Sequence, residues 1–152
     1  MSHSPRAIPE GFHTLTVYLS VADADKAIDF YKRAFGAVER YRLPRPDGRV
    51  GHAEITIGDS IIMLADECGM GLSKSPRTLG GNSAGLCLYV DDVDAAFDTA
   101  VKCGATVTRP VQTQFYGERT GTVTDPDGYH WSLMTHVEDV SPEEMKRRIE
   151  AM

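Results

Sequence analysis

Apolar residues along this chain are spaced first at every second position and then at every third or fourth position, and this change occurs twice. Residues 13–21 alternate polar and apolar side chains, which predicts a strand with one face in the core. The members of that predicted core face are His13, Leu15, Val17 and Leu19. A helix is predicted next, because Asp23 suits the residue before a helix and Gly36 suits the left-handed residue that ends one.

Three more strands are predicted after this helix, at residues 37–43, 51–57 and 60–65, with turn-forming residues between them. The first part of the chain, about residues 12–67, is therefore predicted to form a β-α-β-β-β unit. Residues 68–84 are rich in Gly, Ser, Lys and Pro and follow neither period. We interpret them as a connector.

The same order of elements is predicted after the connector, in a second unit at about residues 85–138. It begins with a strand and continues with a helix that Asp92 caps and Gly104 ends. The later strands of this unit are predicted at residues 106–109, 118–124 and 130–136. Ser141, followed by a proline and by Glu144, then predicts a short C-terminal helix.

The two predicted units are related in sequence. Val21–Asp29 is similar to Val90–Asp98, and each copy runs on to a Gly-Ala pair. A repeat of this length indicates a duplicated supersecondary unit. Since 152 residues suit one ordinary core, we predict a single α+β domain, residues 1–152, made of two tandem β-α-β-β-β units and a terminal helix.

The acidic balance of the chain narrows the classes of partner. It has 16 Lys and Arg against 22 Asp and Glu, and no block of basic residues. We therefore expect neither nucleic acid nor a membrane surface as partner, and a small molecule or another protein remains. Without an apolar stretch of signal-peptide or membrane-spanning length, a cytoplasmic protein is expected. Its three cysteines lack zinc-type spacing and favour reduced thiols.

Several short motifs resemble those of the vicinal oxygen chelate superfamily, which includes glyoxalase I, bleomycin-resistance proteins, fosfomycin-resistance enzymes and extradiol dioxygenases. The motifs are Phe30–Gly36 at the end of the first helix and Asp125–Gly128 before the last strand. Within the superfamily, His52–Glu54, Tyr116–Arg119 and Thr135–Val140 resemble the PhnB-like branch. The resemblance implies that the two units form cup-shaped mixed sheets and that the protein is a homodimer.

Metal-dependent members of that superfamily hold a divalent ion in the cup with His, Gln or Glu side chains. The resemblance places the corresponding positions on Thr16, Met63, Gly85 and Ser132. None of these is a suitable ligand, so we expect no metal at the usual positions and no cofactor. The alternative is a displaced divalent-metal site, with candidate ligands His52, Glu54, His136 and Glu138.

The expected function is the binding of a small organic molecule in the cup, as in bleomycin-resistance proteins. Candidate ligand-binding residues are Tyr18, Met63, Cys87, Tyr89, Arg119, Trp131 and Met134. For Arg119 the alternatives are a clamp on an anionic ligand and an ion pair with Glu118, Glu138 or Asp139. For Trp131 they are stacking on a planar ligand and filling the core. If the metal site exists, the function is instead that of a lyase, transferase or dioxygenase.

Overall fold

The computed structural model describes residues 4–69 and 74–152. The chain divides into two compact units, one that ends at Gly80 and one that begins at Gly81. In the described ranges each unit contains one four-stranded sheet, here called sheet A in the first unit and sheet B in the second. The predicted α+β fold with tandem β-α-β-β-β units is confirmed.

The elements follow the predicted order in both units. Those of the first unit are β1 (Val17–Val21), α1 (Ala24–Phe35), β2 (Val38–Pro44), β3 (Val50–Ile57), β4 (Ser60–Asp66) and α2 (Pro76–Leu79). Those of the second are β5 (Leu86–Tyr89), α3 (Val93–Lys102), β6 (Thr106–Thr113), β7 (Glu118–Thr124), β8 (His130–His136) and α4 (Pro142–Glu150). None of the helices in the described ranges combines the length and the apolar character needed to cross a membrane.

Both sheets have the same topology. Sheet A has the strand order β1-β4-β3-β2 and sheet B the order β5-β8-β7-β6. In each, the first strand runs parallel to the last strand of its unit, and the other neighbours are antiparallel. Tyr18 lies opposite Met63, and Tyr89 lies opposite Met134. The two tyrosines therefore occupy equivalent positions in the duplicated units.

Local capping determines where the two main helices begin. The Asp23 carboxylate accepts a hydrogen bond from the Lys26 amide at 3.1 Å, and Asp92 accepts one from the Ala95 amide at 3.0 Å. Gly36 ends α1 with a φ of 67°, as predicted. In the second unit Cys103 is the C-cap of α3, and Gly104, with a φ of 112°, is the residue that follows the cap.

Helix α1 covers one face of sheet A. Its buried residues are Ala24, Ala27, Ile28, Phe30, Tyr31 and Ala34. On the sheet, the buried Leu19, Ile55 and Leu64 lie on the α1 side. Because successive side chains in a strand point to opposite faces, Tyr18 and Met63 point away from α1. We call that side the far face of sheet A.

Helix α3 covers sheet B in the same way. Phe97 of α3 lies so close to Gly121 that a Cβ atom there would be 2.9 Å from the Phe97 ring. Leu133 and Val123 are fully buried on this side of the sheet. The residues that alternate with them, including Ser132 and Thr122, form the far face of sheet B, which is turned away from α3.

Three predictions of element bounds need correction. Strand β1 begins at Val17 rather than at residue 13, and Leu15, predicted to lie in the core, is 86% exposed. Strand β6 runs on from residue 109 to Thr113, since register shifts let it continue along β7. The connector 68–84 contains the one-turn helix α2, which Ser75 caps; residues 70–73 of the connector lie outside the described residues.

Candidate functional site

A groove of about 490 Å³ lies along the far face of sheet B. Its described lining includes Cys87, Arg109, Gln112, Tyr116, Ser132 and Met134. These residues come from β5, β6, β8 and the β6–β7 turn, and Thr120 and Thr122 of β7 complete the lining. Alternation along the strands places these side chains on one face. The groove is the first candidate site.

Hydroxyl groups form the floor of this groove. The Ser132 and Thr122 hydroxyl oxygens are 3.0 Å apart, and Thr120 donates a hydrogen bond to the Leu133 carbonyl at 2.9 Å. Arg109 adds a positive charge, while the other described lining residues are neutral. The groove thus combines apolar surface with hydrogen-bonding groups, as small-molecule sites do.

The structure separates the candidate ligand-binding residues into three sets. Cys87 and Met134 line the groove, and Tyr89 shares their face of sheet B. Tyr18 and Met63 lie together on the far face of sheet A, in the first unit.

Trp131 and Arg119 form the third set, on the α3 side of sheet B. Trp131 is 2% exposed, and its indole nitrogen donates to Asp125 at 2.9 Å. The Arg119 guanidinium donates to both carboxylate oxygens of Asp94, on α3, at 2.7 and 2.8 Å. Both residues alternate along their strands with the residues that line the groove. Their side chains therefore lie on the opposite face of sheet B and do not reach it. Arg119 is in an ion pair, but its partner is Asp94 and none of the carboxylates considered from sequence.

A second cavity, of about 550 Å³, lies beside the end of β8 and helix α4. His136 faces it with both ring nitrogens occupied, Nδ1 at 3.0 Å from Glu118 and Nε2 at 2.8 Å from Asp139. Hydrogen bonds to Asp139 and then to Glu118 raise the pKa of the His136 imidazole, because they stabilise its charged form. Glu138 is held by Arg148 at 2.6 and 3.0 Å, which lowers the pKa of its carboxyl group.

A metal at the superfamily's usual positions does not fit these residues. Thr16 and Gly85 immediately precede β1 and β5, Met63 lies in β4, and the Ser132 hydroxyl is bonded to Thr122. Thr16 and Ser132 offer only hydroxyl groups, Met63 offers a thioether, and Gly85 has no side chain. Zinc, nickel and iron sites in proteins use imidazole, carboxylate or thiolate ligands instead. In the part of the chain that the structure describes, no group of three or more His, Cys, Asp or Glu side chains is suited to hold a metal ion.

The far face of sheet A carries a polar cluster around Glu54. Tyr41 donates to Glu54 Oε1 at 2.9 Å, and the Arg40 guanidinium lies 3.3 Å from Oε2. His52 Nε2 is 3.5 Å from Oε1, and His52 Nδ1 is 3.0 Å from the Tyr18 hydroxyl. The Glu54 side chain is only 6% exposed. This is a connected network of titratable groups.

His52 and Glu54 were predicted from sequence as metal ligands, and Tyr18 as a ligand-binding residue. Arg40 and Tyr41 were not predicted as site residues. Neighbouring residues of a regular strand point to opposite faces, so these two were not expected to share a partner. A shift of register between Glu39 and Tyr41 in the pairing of β2 with β3 lets both reach Glu54. Pattern alone offered no signal for that bulge.

Residues 12–133 match the family model described as "Glyoxalase/Bleomycin resistance protein/Dioxygenase superfamily". The chain belongs to this superfamily. The resemblance to the vicinal oxygen chelate proteins is thereby confirmed at the level of the superfamily.

Relatives within the superfamily include proteins without an assigned role. Uncharacterized proteins of Mycobacterium bovis and Mycobacterium tuberculosis are 45% identical over 136 residues, which is 87% of this chain and 89% and 79% of theirs. A lactoylglutathione lyase of Neisseria meningitidis is 28% identical over 118 residues, covering 77% of this chain and 83% of the lyase.

Solved structures of the superfamily fold are similar over most of the chain. TioX from Micromonospora sp. ML1 has a TM-score of 0.65 at 28% identity, over 82% of this chain and 99% of its own. A gene product from Arabidopsis thaliana has a TM-score of 0.66 at 26% identity, over 84% and 99%. A PhnB protein from Bacillus cereus, described as a putative methyltransferase, is 18% identical with a TM-score of 0.63, over 81% and 99%, and shows the shared fold alone.

Proposed function

We propose that this protein binds a small organic molecule in the groove of sheet B, without a metal ion at the superfamily's usual positions. The observation that carries the proposal is the groove itself. Its volume of about 490 Å³ is in the range of drug-sized ligand sites. The superfamily scaffold is retained, while the residues at its metal-binding positions are unsuitable ligands.

The lining residues indicate the chemical class of the ligand. Tyr116 and Met134 offer an aromatic ring and a polarisable thioether, which suit a flat apolar or aromatic body. Gln112 and Ser132 can donate and accept hydrogen bonds, and Arg109 can pair with an anionic oxygen. We therefore propose an aromatic ligand that carries hydroxyl, carbonyl or carboxylate groups.

The second candidate function is that of a divalent-metal-dependent lyase, transferase or dioxygenase with a displaced site. The Neisseria lactoylglutathione lyase relative favours it. The contacts of the candidate ligands do not, because Glu138 is paired with Arg148 and the His136 nitrogens face Glu118 and Asp139. His52 and Glu54 lie in the other unit. We rank this function below metal-free binding.

The finer affiliation and assembly are proposals as well. The motifs that resemble those of the PhnB-like branch support placement in that branch. We propose a cytoplasmic homodimer. The resemblance to the superfamily supports the dimer. Light scattering after size exclusion measures the mass directly, and a monomer at all concentrations would refute the dimer.

The binding proposal is tested with a panel of planar antibiotics and aromatic carboxylates. Any compound that binds the folded chain raises its melting temperature, and calorimetry then gives the affinity. Cys87→Trp should fill the groove and weaken binding by at least about tenfold, a loss of roughly 1.4 kcal/mol. The matched control is Cys68→Trp, at another exposed cysteine outside the groove. Equal affinities of the two variants, or no stabilising compound, would reject the groove as the site.

Metal content separates the two candidate functions. Elemental mass spectrometry on protein purified without a chelator should find less than stoichiometric zinc, nickel, iron and manganese. Ligand binding should also survive treatment with EDTA. A stoichiometric metal whose removal abolishes binding would overturn the proposal in favour of the displaced site.

A further inference from the structure

Tyr18, His52 and Glu54 lie in the order phenol, imidazole and carboxylate on the far face of sheet A. The Tyr18 hydroxyl is 3.0 Å from His52 Nδ1, and His52 Nε2 is 3.5 Å from Glu54 Oε1. Tyr18 is 49% exposed, so its oxygen is accessible to a small molecule. This order is that of an activated nucleophile, in which a base contacts the nucleophile and a third group orients the base.

The Glu54 carboxylate, at the buried end of this series, has two further contacts. Glu54 accepts a hydrogen bond from Tyr41 at 2.9 Å and lies 3.3 Å from Arg40. In the tautomer that carries its proton on Nε2, facing the Glu54 carboxylate, the neutral imidazole leaves Nδ1 as an acceptor. The Tyr18 hydroxyl then donates to Nδ1, as a nucleophile must donate to its general base.

The duplicated unit provides an internal comparison. Tyr89 occupies the equivalent position on sheet B, opposite Met134 as Tyr18 is opposite Met63. Its hydroxyl lies 3.5 Å from the Glu118 carboxylate instead of against an imidazole nitrogen. At 63% exposure Tyr89 is the more accessible of the two phenols. A reaction that depended on exposure alone would therefore prefer Tyr89.

We propose that Tyr18 is an activated phenol that accepts an acyl group from small electrophilic esters. The Tyr18 oxygen forms a bond to the acyl carbon, and the bond from that carbon to the leaving oxygen breaks. The leaving group departs with the electron pair, and the phenol proton passes to His52 Nδ1. Glu54 is a positioning residue that stabilises the imidazolium. This site lies in the first unit and does not depend on the groove in sheet B.

Burial raises the pKa of the Tyr18 hydroxyl, so the phenol is neutral near neutral pH. Attack therefore requires the general base. The groups that face His52 are the Tyr18 and Tyr41 rings and the Glu54 carboxylate, which Arg40 also contacts.

The probe is p-nitrophenyl acetate, and the reaction is followed by release of p-nitrophenolate and by mass spectrometry of the acetylated peptides. In the unaltered chain Tyr18 should be acetylated at least about tenfold faster than Tyr89, the low end of what general base catalysis contributes. This ratio needs no variant and so is independent of any folding defect. Equal rates at the two tyrosines would overturn the proposal.

Variants then test each role. His52→Gln should slow acetylation of Tyr18 by at least about tenfold and leave that of Tyr89 unchanged. Glu54→Gln should lower the maximal rate of Tyr18 acetylation without changing the half-saturating ester concentration, because the imidazolium formed during attack loses its carboxylate. Tyr89→Phe is the matched control and should leave Tyr18 acetylation unchanged. An unaltered Tyr18 rate in either His52→Gln or Glu54→Gln would contradict the assignment.

Discussion

The indole nitrogen of Trp131 donates a hydrogen bond of 2.9 Å to Oδ2 of Asp125, across the turn that joins β7 to β8. The other carboxylate oxygen of Asp125 accepts from the amides of Asp127 and Tyr129 at 3.0 and 2.9 Å. Both Asp125 and Trp131 are buried. The Asp125 side chain thus connects the turn to the core on the α3 side of sheet B through hydrogen bonds.

Asp125→Asn is expected to destabilise the protein by about 2 kcal/mol, because the amide cannot accept hydrogen bonds at both positions. Urea denaturation followed by the fluorescence of Trp131, the chain's single tryptophan, measures this directly. Asp47→Asn is the control. Asp47 accepts from the Arg49 amide in an exposed turn, where a change below about 0.5 kcal/mol is expected. Equal losses would show that the Trp131 bond contributes nothing.

Gly117→Ala is expected to cost about 3 kcal/mol or more. Gly117 has a φ of 99°, and a Cβ atom there would lie 2.1 Å from the Glu138 carbonyl oxygen. Gly104→Ala separates the two causes, since Gly104 has a φ of 112° but nothing within 4 Å of its Cβ position. It should lose only about 1 to 2 kcal/mol, the cost of the left-handed backbone. Thermal unfolding of both variants measures the difference, and equal losses would exclude the steric clash.

Glu39 is expected to make stability depend on pH in the acid range. Hydrogen bonds from Arg42, and then from Lys32, lower the pKa of the Glu39 carboxyl group from 4.5 to about 2. A lowered folded-state pKa means that the stabilisation is complete above about pH 4.5 and disappears as the pH falls toward 2. After allowance for solvent screening it amounts to about 1 kcal/mol.

Urea denaturation at neutral pH and at about pH 3 tests this dependence on Glu39. Glu39→Gln should destabilise the protein at neutral pH and flatten its decline in acid. Glu10→Gln, which removes an exposed carboxylate, should leave the decline unchanged. The expectation fails if Glu39→Gln shows the same acid decline as the parent chain.

His136 is expected to titrate above its ordinary pKa of 6.5, because Asp139 and Glu118 stabilise the imidazolium. A raised folded-state pKa means that its contribution to stability is present below pH 6.5 and is lost as the pH rises through the folded value. NMR titration of the imidazole gives that value. Asp139→Asn should lower it, whereas Asp47→Asn, in the other unit, should not. A His136 pKa at or below 6.5 in the parent chain would contradict these contacts.

Several elements of the fold were predictable because their signals are local in the sequence. Asp23 and Asp92 cap the two main helices, and Gly36 ends the first one, because capping requires only residues within one turn. Strands β7 and β8 have the predicted bounds, since a tight turn separates two alternating segments. The repeat then implied that both units share one topology.

The contacts between candidate side chains, in contrast, depend on how the chain folds. Arg119 pairs with Asp94, and the Val93 amide donates to the Thr135 hydroxyl. Each contact joins residues far apart in the chain, so the local pattern of polar and apolar positions does not predict it. The bulge in β2 brings both Arg40 and Tyr41 to Glu54. Sequence predicts which residues share a strand face, but contacts across a sheet depend on register, and packing against a helix selects the buried face.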